Sequence, residues 1–188
     1  MTPIYFIRHA ESFYSKEDND FDRPLTVRGK VDAEELAKYF SDISIDHIIS
    51  SPYVRAIDTV EIIARDKGLP LELVNDFRER RVGDKDVAVG EFENFAQKQW
   101  NDFHYARRGG ESLYTVQKRA LKSLEKVLQK YSDNNIIIAT HGTLLGIVLN
   151  YYDDEKYDFQ YWKGLKMPDI FSFKFNSKTL DSIERCQL

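Results

Sequence analysis

Three short apolar runs each lead into residues that can handle a phosphoryl group. Residues 4–7 are followed by Arg8-His9-Ala10-Glu11-Ser12. Residues 48–49 are followed by Ser50-Ser51-Pro52, with Arg55 one turn further on, and residues 136–139 by Thr140-His141-Gly142. If these runs are neighbouring parallel strands, two histidines and two arginines meet on one rim. That rim lies beyond the carboxyl ends of the strands, where α/β sheets bind ligands. Arginine forks match phosphate oxygens two at a time, and a helix opening at Gly142 adds backbone N–H donors for an anion. Neutral imidazole is available near pH 7 as a nucleophile toward phosphorus. A phosphohistidine needs no metal where cationic groups neutralise the equatorial oxygens. The leaving oxygen still needs a proton. The run Arg78-Glu79-Arg80-Arg81 offers Glu79 on a loop after a third strand, able to act as acid and then as base toward water. Glu91, Glu93 and Glu111 are the nearby alternatives.

Holding these residues together requires strands alternating with helices, and the chain reads that way. Strands are expected at 4–7, 47–50, 71–74 and 136–139. Helices are expected at about 27–41 (Thr26 as cap), from Pro52 to about Lys67 with Gly68 as stop, at 93–105, at 112–131, and from Gly142 through Leu149. Residues 10–24 and 76–93 read as loops, 151–169 as an irregular aromatic stretch, and 170–175 with 179–184 as a closing hairpin around Asn176-Ser177-Lys178. The pattern is an α/β layered fold: one domain over 1–188, with a mostly parallel sheet and an antiparallel edge.

Composition narrows the options. The chain has 188 residues, enough for a core without covalent staples. Its 42% hydrophobic and 31% charged residues exclude a disordered or collagen-like chain. The formal charge of −4 argues against general nucleic-acid or anionic-membrane binding. Cys186 is the single cysteine, so an intrachain disulfide and a thiol-rich metal site are excluded. No apolar run reaches the roughly 20 residues that span a bilayer, and the N-terminus reads as a strand rather than a signal peptide. A cytoplasmic location is the expectation. No Gly-x-Ser-x-Gly elbow, P-loop or His-Glu-x-x-His motif is present.

These motifs, spread over nearly the whole chain, resemble the histidine phosphatase superfamily, which includes the cofactor-dependent phosphoglycerate mutases. Arg8-His9-Ala10-Glu11-Ser12 is similar to its Arg-His-Gly signature, with Ala10 in the glycine position. Leu25-Thr26-Val27-Arg28-Gly29 with Ala33, and Ser50-Ser51-Pro52 with Arg55, Ala56 and Thr59, resemble the second and third motifs. Glu79-Arg80 with Gly83, Gly110-Glu111-Ser112 and Thr140-His141-Gly142 complete the set. The resemblance implies a three-layer α/β/α sandwich over a mixed, mostly parallel sheet. It implies His9 as the phosphorylated nucleophile, Arg8, Arg55 and His141 as ligands of the transferring phosphoryl group, and Glu79 as general acid and base. Ser12 and Gly142 are added as substrate-binding candidates, and no cofactor or metal is expected.

The expected partner is a small phosphorylated metabolite. The leading expectation is a metal-independent phosphomonoester hydrolase. A phosphoglycerate mutase and an inactive phosphate-ester-binding regulator are the alternatives. Mutases of the family carry extra segments over the site, so the short 80–108 region and C-terminal tail favour hydrolysis. In the family that region covers the pocket. There Arg107 and Arg108 are either readers of a second anionic group or solvated residues. The aromatic stretch Tyr151, Tyr152, Tyr157, Phe159, Tyr161, Trp162 reads as a rim of the core, with a substrate wall or homodimer patch as other uses. His47 and His104 read as structural or exposed.

Overall fold

A computed structural model of the chain describes residues 1–14, 19–84 and 87–188. The expected loops at 10–24 and 76–93 lie in part, at 15–18 and 85–86, outside the described residues. The sheet strands are β1 (Thr2–Arg8), β2 (His47–Ser50), β3 (Leu71–Leu73), β4 (Ile136–Thr140), β5 (Asp169–Asn176) and β6 (Thr179–Cys186). Their order is β3-β2-β4-β1-β5-β6. The first four run parallel; β5 is antiparallel to β1, and β6 to β5.

Period-two alternation along these strands builds the layers. Ile4, Phe6, Ile49, Ile136 and Ile138 face one core, with Leu113, Val116 and Leu124 of α4 (Leu113–Lys130) and Leu144 and Val148 of α5 (Gly142–Tyr152). Ile7, Ile48, Ile137 and Ala139 face the other, with Leu36 of α1 (Val27–Tyr39) and Val60 and Ile63 of α2 (Val54–Lys67). The fold is thus the α/β/α sandwich. Burial of both faces is why these strands read as continuous apolar runs rather than alternating ones.

Element ends follow local chemistry. Thr26 Oγ accepts from Gly29 N at 3.0 Å and caps α1, a contact worth about 0.5–2 kcal/mol. Ser112 caps α4 the same way. Gly68 closes α2 at φ 65°, a left-handed turn that favours glycine. Two expectations need correction. α3 (Phe92–Asn101) stops four residues earlier than expected, because Asp102 is extended and its carboxylate caps His104 N at 2.9 Å. The stretch 151–169 holds a five-residue helix, α6 (Phe159–Lys163), capped by Asp158. Its aromatics form the expected rim of the core: Trp162 stacks on Phe159, Trp100 of α3 packs on both, and Tyr151 is exposed. Gly146 of α5 makes room for them. A Cβ there would sit 2.5 Å from Trp162 Cδ1.

Candidate active site

β1, β4 and β2 end in register, which fixes where their following residues sit. Arg8 pairs with Thr140, and Ser50 with Ala139. One more rung continues past the strands: His9 N donates to Thr140 O at 3.0 Å, and Ser51 N to Ala139 O at 2.9 Å. His9, His141 and Ser51 are thereby brought side by side. The two imidazole rings lie 5.3 Å apart. Both are buried, at 6% and 0% exposure.

Hydrogen bonds define the proton positions. His9 Nδ1 lies 2.7 Å from Ala10 O, so Nδ1 carries the proton. Nε2 then presents a lone pair, and Arg55 Nε donates to it at 3.2 Å. Burial first, and then the Arg55 charge, pushes the His9 pKa well below that of a free imidazole. His141 is shifted the same way by burial, Arg55 and His9. Its Nε2 bonds Ser51 Oγ at 2.7 Å, while its buried Nδ1 has no partner among the described residues. The nucleophile candidate is thus neutral, with its lone pair aimed into a cationic cup.

The arginines complete that cup. Arg55, 2% exposed, reaches from the first turn of α2. Arg8 donates from Nη1 to Leu165 O at 2.7 Å and lies against the start of α5. Gly142 permits this approach, since a Cβ there would be 2.9 Å from the Arg8 guanidinium carbon. Arg8 Nε is buried without a partner among the described residues, so it is an unspent donor for an anion. Burial lowers the pKa of both arginines, yet both start so high that they stay charged.

Glu79 enters from the loop after β3. Its two oxygens accept from Arg80 N at 2.8 Å and from Thr143 N, in the first turn of α5, at 3.0 Å. The α5 start therefore receives this carboxylate, where positive helix dipole and free N–H groups favour it. Arg119 of α4 fastens the loop itself, donating to Asp76 O at 2.5 Å, Arg78 O at 3.0 Å and Glu79 O at 3.2 Å. Two of the three competing carboxylates are engaged elsewhere. Glu111 accepts from Arg78, Arg81 N and Arg119. Burial works against its charge, but the Arg119 and Arg81 hydrogen bonds and the arginine charges hold its pKa below the usual carboxylate range. Glu93 pairs with Lys163, and Glu91 is exposed.

Other candidates find plainer places. Ser12 Oγ accepts from Arg23 Nη2 at 3.0 Å. The Arg108 side chain is exposed, 3.7 Å from Asp84. Arg107 lies over Phe95. His47 stacks on Tyr131, and His104 lies against Tyr114.

Sequence reasoning missed Asp20, Arg23, Ser51 and Tyr53 as parts of this site. Arg55 donates to Asp20 O at 2.5 Å and to Asp20 Oδ2 at 3.3 Å. Arg23 donates to Asp20 Oδ1 at 2.9 Å and adds positive charge felt by both histidines. The only signal was an arginine closing a polar loop before Pro24, which a solvated residue would give equally. Ser51 and Tyr53 follow the second strand and had a signal in their position. The Tyr53 ring lies 5.1 Å from His141.

Comparison with known proteins identifies the family and the fold. Residues 4–177 match the family described as histidine phosphatase superfamily (branch 1). The chain is 33% identical over 152 residues to a protein called uncharacterized phosphatase PhoE of Bacillus subtilis, covering 79% of this chain and 76% of that one. It is 29% identical over 159 residues to a probable phosphoglycerate mutase GpmB of Escherichia fergusonii, covering 80% and 74%. The solved structure of Bacillus stearothermophilus YhfR superposes with a TM-score of 0.81 at 24% identity, covering 96% of this chain and 95% of that one.

Proposed function

The chain belongs to the histidine phosphatase superfamily, and from that premise we propose that it is a metal-independent hydrolase of a small phosphomonoester, acting through phosphohistidine. One observation carries the reading. The His9 tautomer leaves Nε2 as a lone pair among Arg8, Arg55 and His141. In the proposed first step, His9 Nε2 attacks phosphorus in line. The ester P–O bond breaks, and its electrons go to the alcohol oxygen, which takes a proton from the acid form of Glu79. Arg8, Arg55 and His141 balance the charge on the equatorial oxygens. In the second step, water attacks phosphorus and gives a proton to the Glu79 carboxylate. The P–N bond electrons return to Nε2, and inorganic phosphate is released.

The two buried guanidiniums repel a metal cation, so this donor set suits an anion. A mutase would need phosphohistidine shielded from water. Between Glu79 and Gly109, the one element longer than a single turn among the described residues is the ten-residue α3. That thin cover favours hydrolysis, although the GpmB relatives make phosphoglycerate the natural control.

Phosphate release from a panel of monoesters, with 3-phosphoglycerate included, is measured in EDTA for the wild type beside His9→Ala. Release by the wild type alone is expected, together with acid-labile, base-stable labelling at His9. Isomerisation of phosphoglycerate without phosphate release would instead establish a mutase. Ester binding with neither turnover nor labelling would establish a regulator.

A further inference from the structure

We propose that the alcohol part of the substrate bears a planar ring, seated on an aromatic ledge that rises from the two site histidines. This inference rests on the phosphomonoesterase reading and names its substrate class. Four rings form a continuous row: His9 to His141 at 5.3 Å, His141 to Tyr53 at 5.1 Å, and Tyr53 to Phe21 at 5.2 Å. The row begins buried at the nucleophile and ends in solvent at Phe21, which is 40% exposed. Its members come from four separate segments, so helical or strand periodicity does not generate it. Arg55 lies 4.9 Å from the Tyr53 ring centroid and holds that ring at the edge of the phosphate cup.

An exposed phenylalanine tilted against a half-buried tyrosine leaves ring surface uncovered at the mouth of a catalytic cup. Offset or edge contacts with a third ring suit that surface. The ledge therefore favours a ring-bearing alcohol.

The test compares benzyl phosphate with glycerol 3-phosphate and 3-phosphoglycerate, by calorimetric affinity and by turnover, in the wild type and in Phe21→Ala. Benzyl alcohol is an alkyl-type leaving group, so a preference for it reports ring contact rather than an activated phenol. The expected result is a tighter Kd and lower KM for benzyl phosphate. In Phe21→Ala, benzyl phosphate should weaken about two- to twelvefold more than glycerol 3-phosphate, the range of one aromatic contact. Equal weakening of the two esters by Phe21→Ala overturns the ledge. Affinity alone decides this point. Absence of turnover with the affinity pattern intact refutes the hydrolase reading and leaves the ledge standing.

Discussion

Replacing Glu79 by glutamine separates the proton-transfer role from the structural one. Each Glu79 oxygen accepts one backbone N–H, from Arg80 and Thr143. Glutamine offers one acceptor and one NH2 group, so one of those N–H donors must face another donor. A lost buried hydrogen bond costs about 1–3 kcal/mol, and half-burial of the site places the loss near ~1 kcal/mol. For a chain of this length that lowers Tm by about 2–4 °C, far from unfolding a domain stable by about 5–15 kcal/mol. The chemical effect is larger: losing a general acid costs about 10²–10⁴ in rate for an alkyl ester. With 4-nitrophenyl phosphate the leaving group departs without a proton, and the first step is spared. The second step still lacks its base, so Glu79→Gln should release about one equivalent of nitrophenolate rapidly and then stall. Stopped-flow absorbance at equal enzyme concentration reads the burst. Equal loss of rate on both ester types, with no burst, would remove Glu79 from the acid–base role.

Two further outcomes follow from the packing. His9 and His141 are held neutral by burial and cationic neighbours. The unfolded chain therefore binds protons that the native state does not as pH falls below about 6.5. Stability should be full above that pH and fall below it by up to about 1.4 kcal/mol per unit for each histidine, levelling off once the native values are passed. Urea melts from pH 7.5 to 5 check this, and the double substitution His9→Asn, His141→Asn should flatten the slope. A Gly146→Ala side chain would press on Trp162. Overpacking of about 1–3 kcal/mol is expected, or roughly 2–12 °C in Tm for this size. KM should rise as well, because Trp162 leads into the Leu165 carbonyl that holds Arg8; an unchanged melt and KM would show that α6 adjusts freely.

The sheet was legible because both its faces are covered. Ile136, Ile137 and Ile138 read as a strand however they are turned, and all are fully buried. The two histidines at strand ends were legible for the same reason, since topology alone carries them to one rim. Glu79 was harder. Its neighbours in the charged run look alike in sequence, and what distinguishes it is the start of α5, 64 positions away. Arg23 and Asp20 were not legible, because their role comes from a loop folding back across the cup, a contact with no local periodicity. α6 was hidden by its length, since five residues give too little pattern to separate a helix from an aromatic loop.

The hold of Asp20 on Arg55 bears on how the last step ends. Inorganic phosphate left in a cup of arginines and histidines would be bound tightly, and slow escape would limit turnover. Asp20 is tethered beside that cup and hydrogen-bonds the same guanidinium that a phosphate would use. On the proposed mechanism it would be an intramolecular rival for the product phosphate. An incoming ester must exchange one anion for another rather than meet bare charge, so ground-state affinity is moderated. His9 is left untouched by that exchange, because Arg55 contacts it through Nε and Asp20 through its two terminal nitrogens.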